Sequence, residues 1–268
     1  MKLEQIDATP CAGVRVAALP FTNVEPFFHA IKENKIPHGA TILWRSPKEC
    51  NDLLRSGEVD IALISSEEFL KNRYRYTLLS DLGIATSKAI MSVRLFFKGP
   101  SLLLDKRPVY LPTMSSTSSK LLKVLCKYFW KVQPLFVPSA ATPEMLFEQT
   151  DPFLLIGDPA LVHRNTPNFL SIDLAEAWVE ATNRSMVFAL VATNNEALKT
   201  KPEQVMSFHR VLEQSYAWGK EQFSTIVEAG AKKTGLDPQE IEASYKSIEY
   251  RLNPKHFCGL ELFSTLEA

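Results

Sequence analysis

The sequence has no excess of either charge: its 268 residues include 30 basic and 30 acidic side chains. A basic stripe or a polybasic run would point to nucleic acid or to an anionic membrane, and neither is present. Long apolar runs are also missing, which excludes a transmembrane helix. The first residues, MKLEQIDATPCAG, lack the apolar stretch of a secretory signal. We therefore expect a cytoplasmic protein whose partner is neither nucleic acid nor a membrane.

Cysteine and histidine are few and scattered. The four cysteines (Cys11, Cys50, Cys126, Cys258) never form C-x-x-C, and the five histidines show no metal-ligand spacing. This pattern predicts free thiols and no metal site. Glycine is also scarce, at 10 residues, and the phosphate-binding P-loop, the G-x-G-x-x-G fingerprint and the G-x-S-x-G nucleophile turn are all absent.

Short apolar segments alternate with amphipathic ones along the chain. The apolar segments predict strands at residues 14–19, 40–45, 59–65, 90–98, 107–112, 151–157 and 185–193. Helices are predicted between them, and everything after Lys201 is predicted to be helical. The alternation indicates a mainly parallel sheet covered by helices, which is an α/β fold.

Two predicted strands, 90–98 and 185–193, are longer than their neighbours and enclose a segment with its own strands and helix. This arrangement suits a molecule of two lobes, with the second lobe inserted into the first. We expect lobe 1 to comprise residues 1–96 and 190–268, and lobe 2 to comprise residues 97–189.

Several helix starts carry recognisable capping residues. In SPKECNDLLRSG, Ser46 and Glu49 form a capping box around Pro47, and Gly57 follows the last turn. Thr22 with Glu25 fits the same pattern, and Asp158 before Pro159 is typical of an N-cap. Such a cap contributes roughly 1 kcal/mol, so capping alone accounts for many hydroxyl and carboxylate side chains at these junctions.

The polar residues nevertheless recur at one kind of position, the carboxyl end of a predicted strand. In open α/β sheets this edge binds ligands, and helix N-termini there favour anions. The cluster TMSSTSS has more hydroxyl side chains than one helix N-cap needs. Ser92 lies within a predicted strand, where serine is disfavoured. The sequence therefore predicts a small polar anion between the lobes. The residues found at strand ends are Thr22, Asn23, Ser65, Ser66, the run Ser115 to Ser119, Gly157 and Asp158.

Several longer segments together resemble one enzyme family. PFTNVEP, GEVDIALISSEEF, MSVRLFFKGP, SSTSSKLLKVL, FLLIGDPAL and YKSIEYRLNPKHFCGLELF follow in the family's order over about residues 14–263. The family is the chorismate dehydratases of the futalosine route to menaquinone. The resemblance implies a two-lobed fold of the type II periplasmic-binding-protein kind with the ligand cleft between the lobes, and no metal or organic cofactor.

The implied reaction is loss of water from chorismate to give 3-[(1-carboxyvinyl)oxy]benzoate, with the enolpyruvyl carboxylate of the substrate acting as the base. By motif, Asn23 and Ser92 correspond to the residues that contact the reacting substrate. The hydroxyl turn (Ser115, Thr117, Ser118) and the pair Gly157 and Asp158 are expected to bind carboxylates. Ser65 and Ser66, at another strand end, complete the predicted substrate-binding set.

The chain departs from the family pattern at several positions. Ser116 stands where arginine is frequent, Lys88-Ala89 replaces Gly-Pro, and Asn183 stands in place of glycine. Three alternatives remain open: the sister enzyme that forms 1,4-dihydroxy-6-naphthoate, a solute-binding protein for an organic anion, and a regulatory effector domain.

Overall fold

The computed structural model describes residues 11–99 and 104–267, whose strands form two sheets. The first sheet contains β1 (Arg15–Ala18), β2 (Thr41–Trp44), β3 (Ile61–Ser65), β4 (Tyr76–Thr86), β10 (Met186–Asn194) and β11 (Glu249–Arg251). The second contains β5 (Val93–Phe97), β6 (Pro108–Pro112), β7 (Leu135–Ser139), β8 (Phe153–Ile156) and β9 (Leu170–Asp173). The strand orders are β11-β4-β10-β3-β1-β2 and β7-β6-β8-β5-β9.

Helices connect and cover these strands. They are α1 (Glu25–Lys32), α2 (Pro47–Ser56), α3 (Ser66–Lys71), α4 (Ser116–Val124), α5 (Pro143–Glu148), α6 (Gly157–Val162), α7 (Leu174–Thr182), α8 (Asn195–Thr200), α9 (Pro202–Glu221), α10 (Phe223–Thr234), α11 (Pro238–Ser247) and α12 (Pro254–Thr265). Short 3₁₀ turns occupy Thr22–Val24 and Arg73–Arg75, and a π-helical turn, Leu125–Trp130, extends α4. Among the described residues, none of these helices has the length and apolar character needed to cross a bilayer.

The capping signal of α2 is confirmed, because the helix begins with the predicted reciprocal box of Ser46 and Glu49. Gly57 ends α2 with φ +79°, a backbone conformation that a side chain would strain. These helix ends depend on residues close in sequence, which is why a local pattern identified them.

The sheets are mixed, so the prediction of a mainly parallel sheet is wrong. β1 pairs in parallel with β2 and β3, whereas β10 runs antiparallel to both β3 and β4. In the second sheet, β5 is antiparallel to β8 and β9. The strand predicted at 90–98 is only five residues long (β5), whereas β4, with 11 residues, is the long strand before the first crossing. The strands β4, β7, β9 and β11 were not predicted.

Each sheet forms one lobe with the helices packed on it, and the chain crosses between the lobes twice. β5 belongs wholly to the second sheet and β10 wholly to the first, whereas the predicted lobe boundaries at 96/97 and 189/190 fall inside these strands. We propose that the boundaries lie in the connecting segments 87–92 and 183–185.

One apolar core extends through both lobes. Trp178 on α7 is fully buried, its ring centroid lies 5.7 Å from that of Phe263 on α12, and its indole Nε1 donates to the carbonyl of Ser185. The C-terminal helix α12 therefore contacts the second lobe beside segment 183–185, where the chain passes from one lobe to the other.

Candidate active site between the lobes

A cleft lies between the two sheets, where strand ends of both lobes meet. Its polar lining is Asn23, Ser65, Ser92, Ser115, Thr117 and Ser118. The remaining wall is apolar and comprises Leu19, Phe21, Pro47, Leu63, Ile84, Ile90, Val93, Ile156, Gly157, Phe188 and Ala189. A flat, largely apolar ligand bearing a few polar groups matches this lining.

The structure brings seven of the nine predicted site residues to this cleft and leaves two outside its lining. Ser66 lies behind the cleft, fully buried, and its hydroxyl donates to the carbonyl of Val187 at 2.6 Å. Its role is to join α3 to β10. The other outlying residue is Asp158.

Asp158 does not cap α6, whose N-cap is Ile156. Its carboxylate instead accepts from the Thr22 backbone N–H (2.8 Å) and hydroxyl (2.7 Å), and it pairs with Lys233 of α10 at 2.9 Å. The predicted cap at Thr22 is therefore wrong, because a carboxylate from the other lobe takes the Thr22 hydroxyl. Asp158 joins the two lobes beside the cleft.

Glu25, the other half of the predicted Thr22 box, faces into its own helix. Its carboxylate contacts His29 Nδ1 at 2.7 Å and Lys32 Nζ at 3.0 Å. Burial raises the pKa of Glu25, but the bonds from His29 and Lys32 outweigh burial and hold it below its ordinary value.

Asn23 lies in the 3₁₀ turn that follows β1 and lines the cleft. Its Oδ1 is buried and has no hydrogen-bond partner in the described part of the chain. A buried amide oxygen without a partner costs about 1–3 kcal/mol. A ligand that supplies a donor would remove that cost.

Ser92 lies immediately before β5 and is 3% exposed. Its carbonyl accepts from the N–H of Gly157 at 2.8 Å, which fixes its backbone to the start of α6. The residue before it, Met91, has φ +68°, in the left-handed region that costs a non-glycine residue roughly 1–2 kcal/mol. The Ser92 hydroxyl makes no hydrogen bond to another described residue and is free for a ligand.

The hydroxyl turn at the start of α4 connects the lobes. Ser115 is the N-cap and accepts from the N–H of Ser118. The Thr117 hydroxyl accepts from the N–H of Glu67 at 3.0 Å, and the hydroxyls of Ser65 and Ser116 lie 3.0 Å apart. The N-terminus of this nine-residue helix thus faces both the cleft and the first lobe.

Phe21 and Gly157 meet at one end of the cleft, and sequence reasoning did not identify this contact. Gly157 has φ +65°, and a Cβ there would lie 2.8 Å from the Phe21 ring. The only sequence signal was an aromatic residue two positions before Asn23, after a strand.

Among the described residues that line the cleft, none has a titratable side chain. Behind the hydroxyl turn, buried Glu67 pairs with Lys120 at 3.0 Å and Lys71 at 2.9 Å. Within residues 11–99 and 104–267, no group of His, Cys, Asp and Glu side chains is arranged to hold a metal ion. The cleft can thus bind and orient a ligand through dipoles and hydroxyls, and its described side chains include no base.

Comparison with known proteins places this geometry in a family. The model of the family described as menaquinone biosynthesis matches residues 14–268. A chorismate dehydratase of Thermus thermophilus is 30% identical, with 93% of each chain covered.

Two solved structures share the fold at lower identity. A structural-genomics protein of Archaeoglobus fulgidus superposes with a TM-score of 0.76 at 19% identity, covering 94% of this chain and 95% of that one. A Candida albicans protein described as having the generic periplasmic binding protein fold has a TM-score of 0.69 at 14% identity, covering 94% and 90%. The two-lobed periplasmic-binding-protein-like fold is thus confirmed, and the chain belongs to the menaquinone biosynthesis family.

Proposed function

We propose that the protein is a chorismate dehydratase, a lyase that removes water from chorismate to give 3-[(1-carboxyvinyl)oxy]benzoate. Family membership and the Thermus thermophilus relative support this activity. The observation that carries it in the structure is a cleft between the lobes whose described lining has hydroxyl and amide groups but no titratable side chain. We further propose that it acts in the cytoplasm, on the futalosine route.

The substrate is a dianion, and the cleft must bind it without a lysine or arginine. The N-terminus of α4 provides unpaired backbone N–H groups and the positive end of the helix dipole. The hydroxyls of Ser115, Thr117 and Ser118 lie at the same end. Groups of this kind stabilise a bound carboxylate, and no lysine or arginine side chain has to be buried beside it.

The reaction needs a base for the proton on the ring carbon that bears the ether oxygen. That proton is activated by the ring carboxylate through the intervening double bond, the adjacent hydroxyl departs, and aromatisation drives the step. Since no described side chain of the lining can accept a proton, the enolpyruvyl carboxylate of the substrate takes this role. The protein then contributes orientation and stabilisation of developing charge.

Asn23 and Ser92 contact the reacting part of the substrate in this proposal. Asn23 Oδ1 needs a donor, and the ring hydroxyl is the only donor that dianionic chorismate carries. The free Ser92 hydroxyl can donate to the departing oxygen or to the ring carboxylate. Both side chains would thus act as positioned polar groups rather than as acid or base.

The test is incubation of purified protein with chorismate, followed by ultraviolet absorbance and mass spectrometry. We expect a product lighter by one water. Asn23→Ala and Ser92→Ala should each lower kcat about 100-fold with little change in melting temperature, which is the usual effect of removing one oriented polar group. Asn165→Ala and Ser56→Ala, which change exposed residues outside the cleft lining, serve as matched controls. Binding without turnover by the wild-type protein would instead support a binding protein.

A further inference from the structure

We propose that Asp173 is a positioning residue for the reaction: it holds Met91 in the left-handed backbone conformation that presents the Ser92 hydroxyl to the cleft. The inference rests on the proposed function, in which Ser92 contacts the substrate. Asp173 does not line the cleft and acts only through the backbone before Ser92.

Asp173 ends β9 and caps α7, and its side chain is fully buried. Oδ1 accepts from the N–H groups of Ala175 (3.0 Å) and Glu176 (3.2 Å), which are the hydrogen bonds that an N-cap side chain normally makes. An N-cap aspartate needs no further partners, yet this carboxylate has several from another segment.

The additional partners lie in the crossing that leads to Ser92. Oδ2 accepts from the N–H of Met91 at 2.7 Å, and Oδ1 accepts from the N–H of Ile90 at 3.3 Å. The bond to Met91 is the shortest that this carboxylate makes to a backbone N–H. One buried carboxylate thus binds two consecutive N–H groups directly before Ser92.

Met91 is the residue whose conformation requires this support. Its φ of +68° is unfavourable for a side chain that is neither glycine nor asparagine. The carbonyl of Ser92 is fixed by Gly157 N–H on the other side. With the carbonyl held there, the conformation of residue 91 decides where the Ser92 side chain points.

Asp173→Asn tests the contact with little change in shape. Asn is a good N-cap and can keep an oxygen toward Ala175 and Glu176, but its amide group then places a donor against the Met91 N–H. We expect kcat on chorismate to fall about 10-fold or more, while KM changes less than about three-fold. Arg94→Gln is the matched control, because it removes the other Oδ2 partner and leaves Met91 bound.

Rescue at position 91 separates positioning from a merely structural role. Glycine adopts positive φ without a carboxylate to hold it, so Met91→Gly should restore most of the lost kcat in the Asp173→Asn background. Met91→Ala removes the same side-chain contacts without that freedom and should restore nothing. Equal rescue by both substitutions, or by neither, would overturn the proposal.

A second series covers the case in which Asp173→Asn fails to fold. With Asp173 intact, kcat should follow the tolerance of residue 91 for positive φ, with Gly and Asn above Ala and Ala above Val. A kcat that instead follows the size of the side chain would overturn the proposal.

The Met91 amide gives a readout that needs no substrate. Bonded to a buried carboxylate, it should exchange slowly with deuterium by NMR in the wild-type protein and at least about 10-fold faster in Asp173→Asn. Unchanged exchange would contradict the proposal. A wild-type protein that protects this amide but leaves chorismate unchanged would refute the proposed function alone.

Discussion

The contact between Asp158 and Thr22 should decide how well the cleft closes. Asp158→Ala removes the acceptor of two hydrogen bonds that cross between the lobes, at 2.8 and 2.7 Å, and the ion pair with Lys233. Thr22 is 1% exposed, so its N–H and hydroxyl would lose their partner without gaining water in the closed form.

The magnitude follows from these three contacts. A hydrogen bond to a charged group is worth about 1.5–3 kcal/mol, so the two bonds from Thr22 sum to about 3–6 kcal/mol. The ion pair with Lys233, whose side chain is 36% exposed, adds at most about 1 kcal/mol because solvent screens it. The lower bound alone predicts a loss of about 100-fold in kcat/KM on chorismate, since each 1.4 kcal/mol is tenfold.

Steady-state kinetics on chorismate measure this loss, with a graded series as the internal check. Asp158→Asn keeps an oxygen for Thr22 but loses the charge, and we expect a drop of about 10-fold. Lys233→Met should cost less than that, because it removes two solvent-exposed contacts, the ion pair with Asp158 and the hydrogen bond to the Pro20 carbonyl, and leaves both Thr22 bonds in place. A kcat/KM for Asp158→Ala within about three-fold of wild type would refute the assignment of Asp158 to closure.

Three further predictions concern acid, thiols and the cleft wall. Burial raises the pKa of Asp60, but bonds from Arg15 and Lys201 hold it below its ordinary value, so the unfolded chain binds this proton more readily. The free energy of unfolding should therefore fall as the pH drops below about 4, and Asp60→Asn should flatten that slope in urea titrations. Ellman's reagent should label exposed Cys258 alone in the native protein. The three other cysteines are buried, and burial raises their thiol pKa values to about 11 or 12. Rapid labelling of a second thiol would contradict this prediction. Gly157→Ala should lower the free energy of unfolding by about 1–3 kcal/mol, since its Cβ would strain the backbone and meet the Phe21 ring; a melting temperature equal to wild type would contradict it.

A local sequence pattern predicted the start of α2, because its capping partners Ser46 and Glu49 lie three residues apart. The same kind of pattern failed at Thr22, where the competing acceptor lies 136 residues further along the chain. No local signal reveals such a partner. The missed strand β4 has buried residues on both faces of its second half, so it lacks the alternation that marks a half-buried strand.

The composition of the cleft was predictable in part. Ser65 ends a strand and Ser115 and Asn23 follow strands, and strand ends of the two sheets meet at the cleft. Ser92 was identified because serine is unusual within a strand, and the structure places it just before one. The dependence of Ser92 on Asp173 could not be predicted, because it arises from the pairing of β5 with β9, and β9 itself was not predicted.

The most direct test of the account is the pH dependence of kcat with chorismate. The central claim is that the cleft dehydrates chorismate with no titratable protein side chain as base. If that is correct, the product is lighter by one water and kcat stays level from about pH 6 to 9, because a substrate carboxylate titrates far below that range. No turnover, or a bell-shaped profile with a group titrating inside that range, would contradict it.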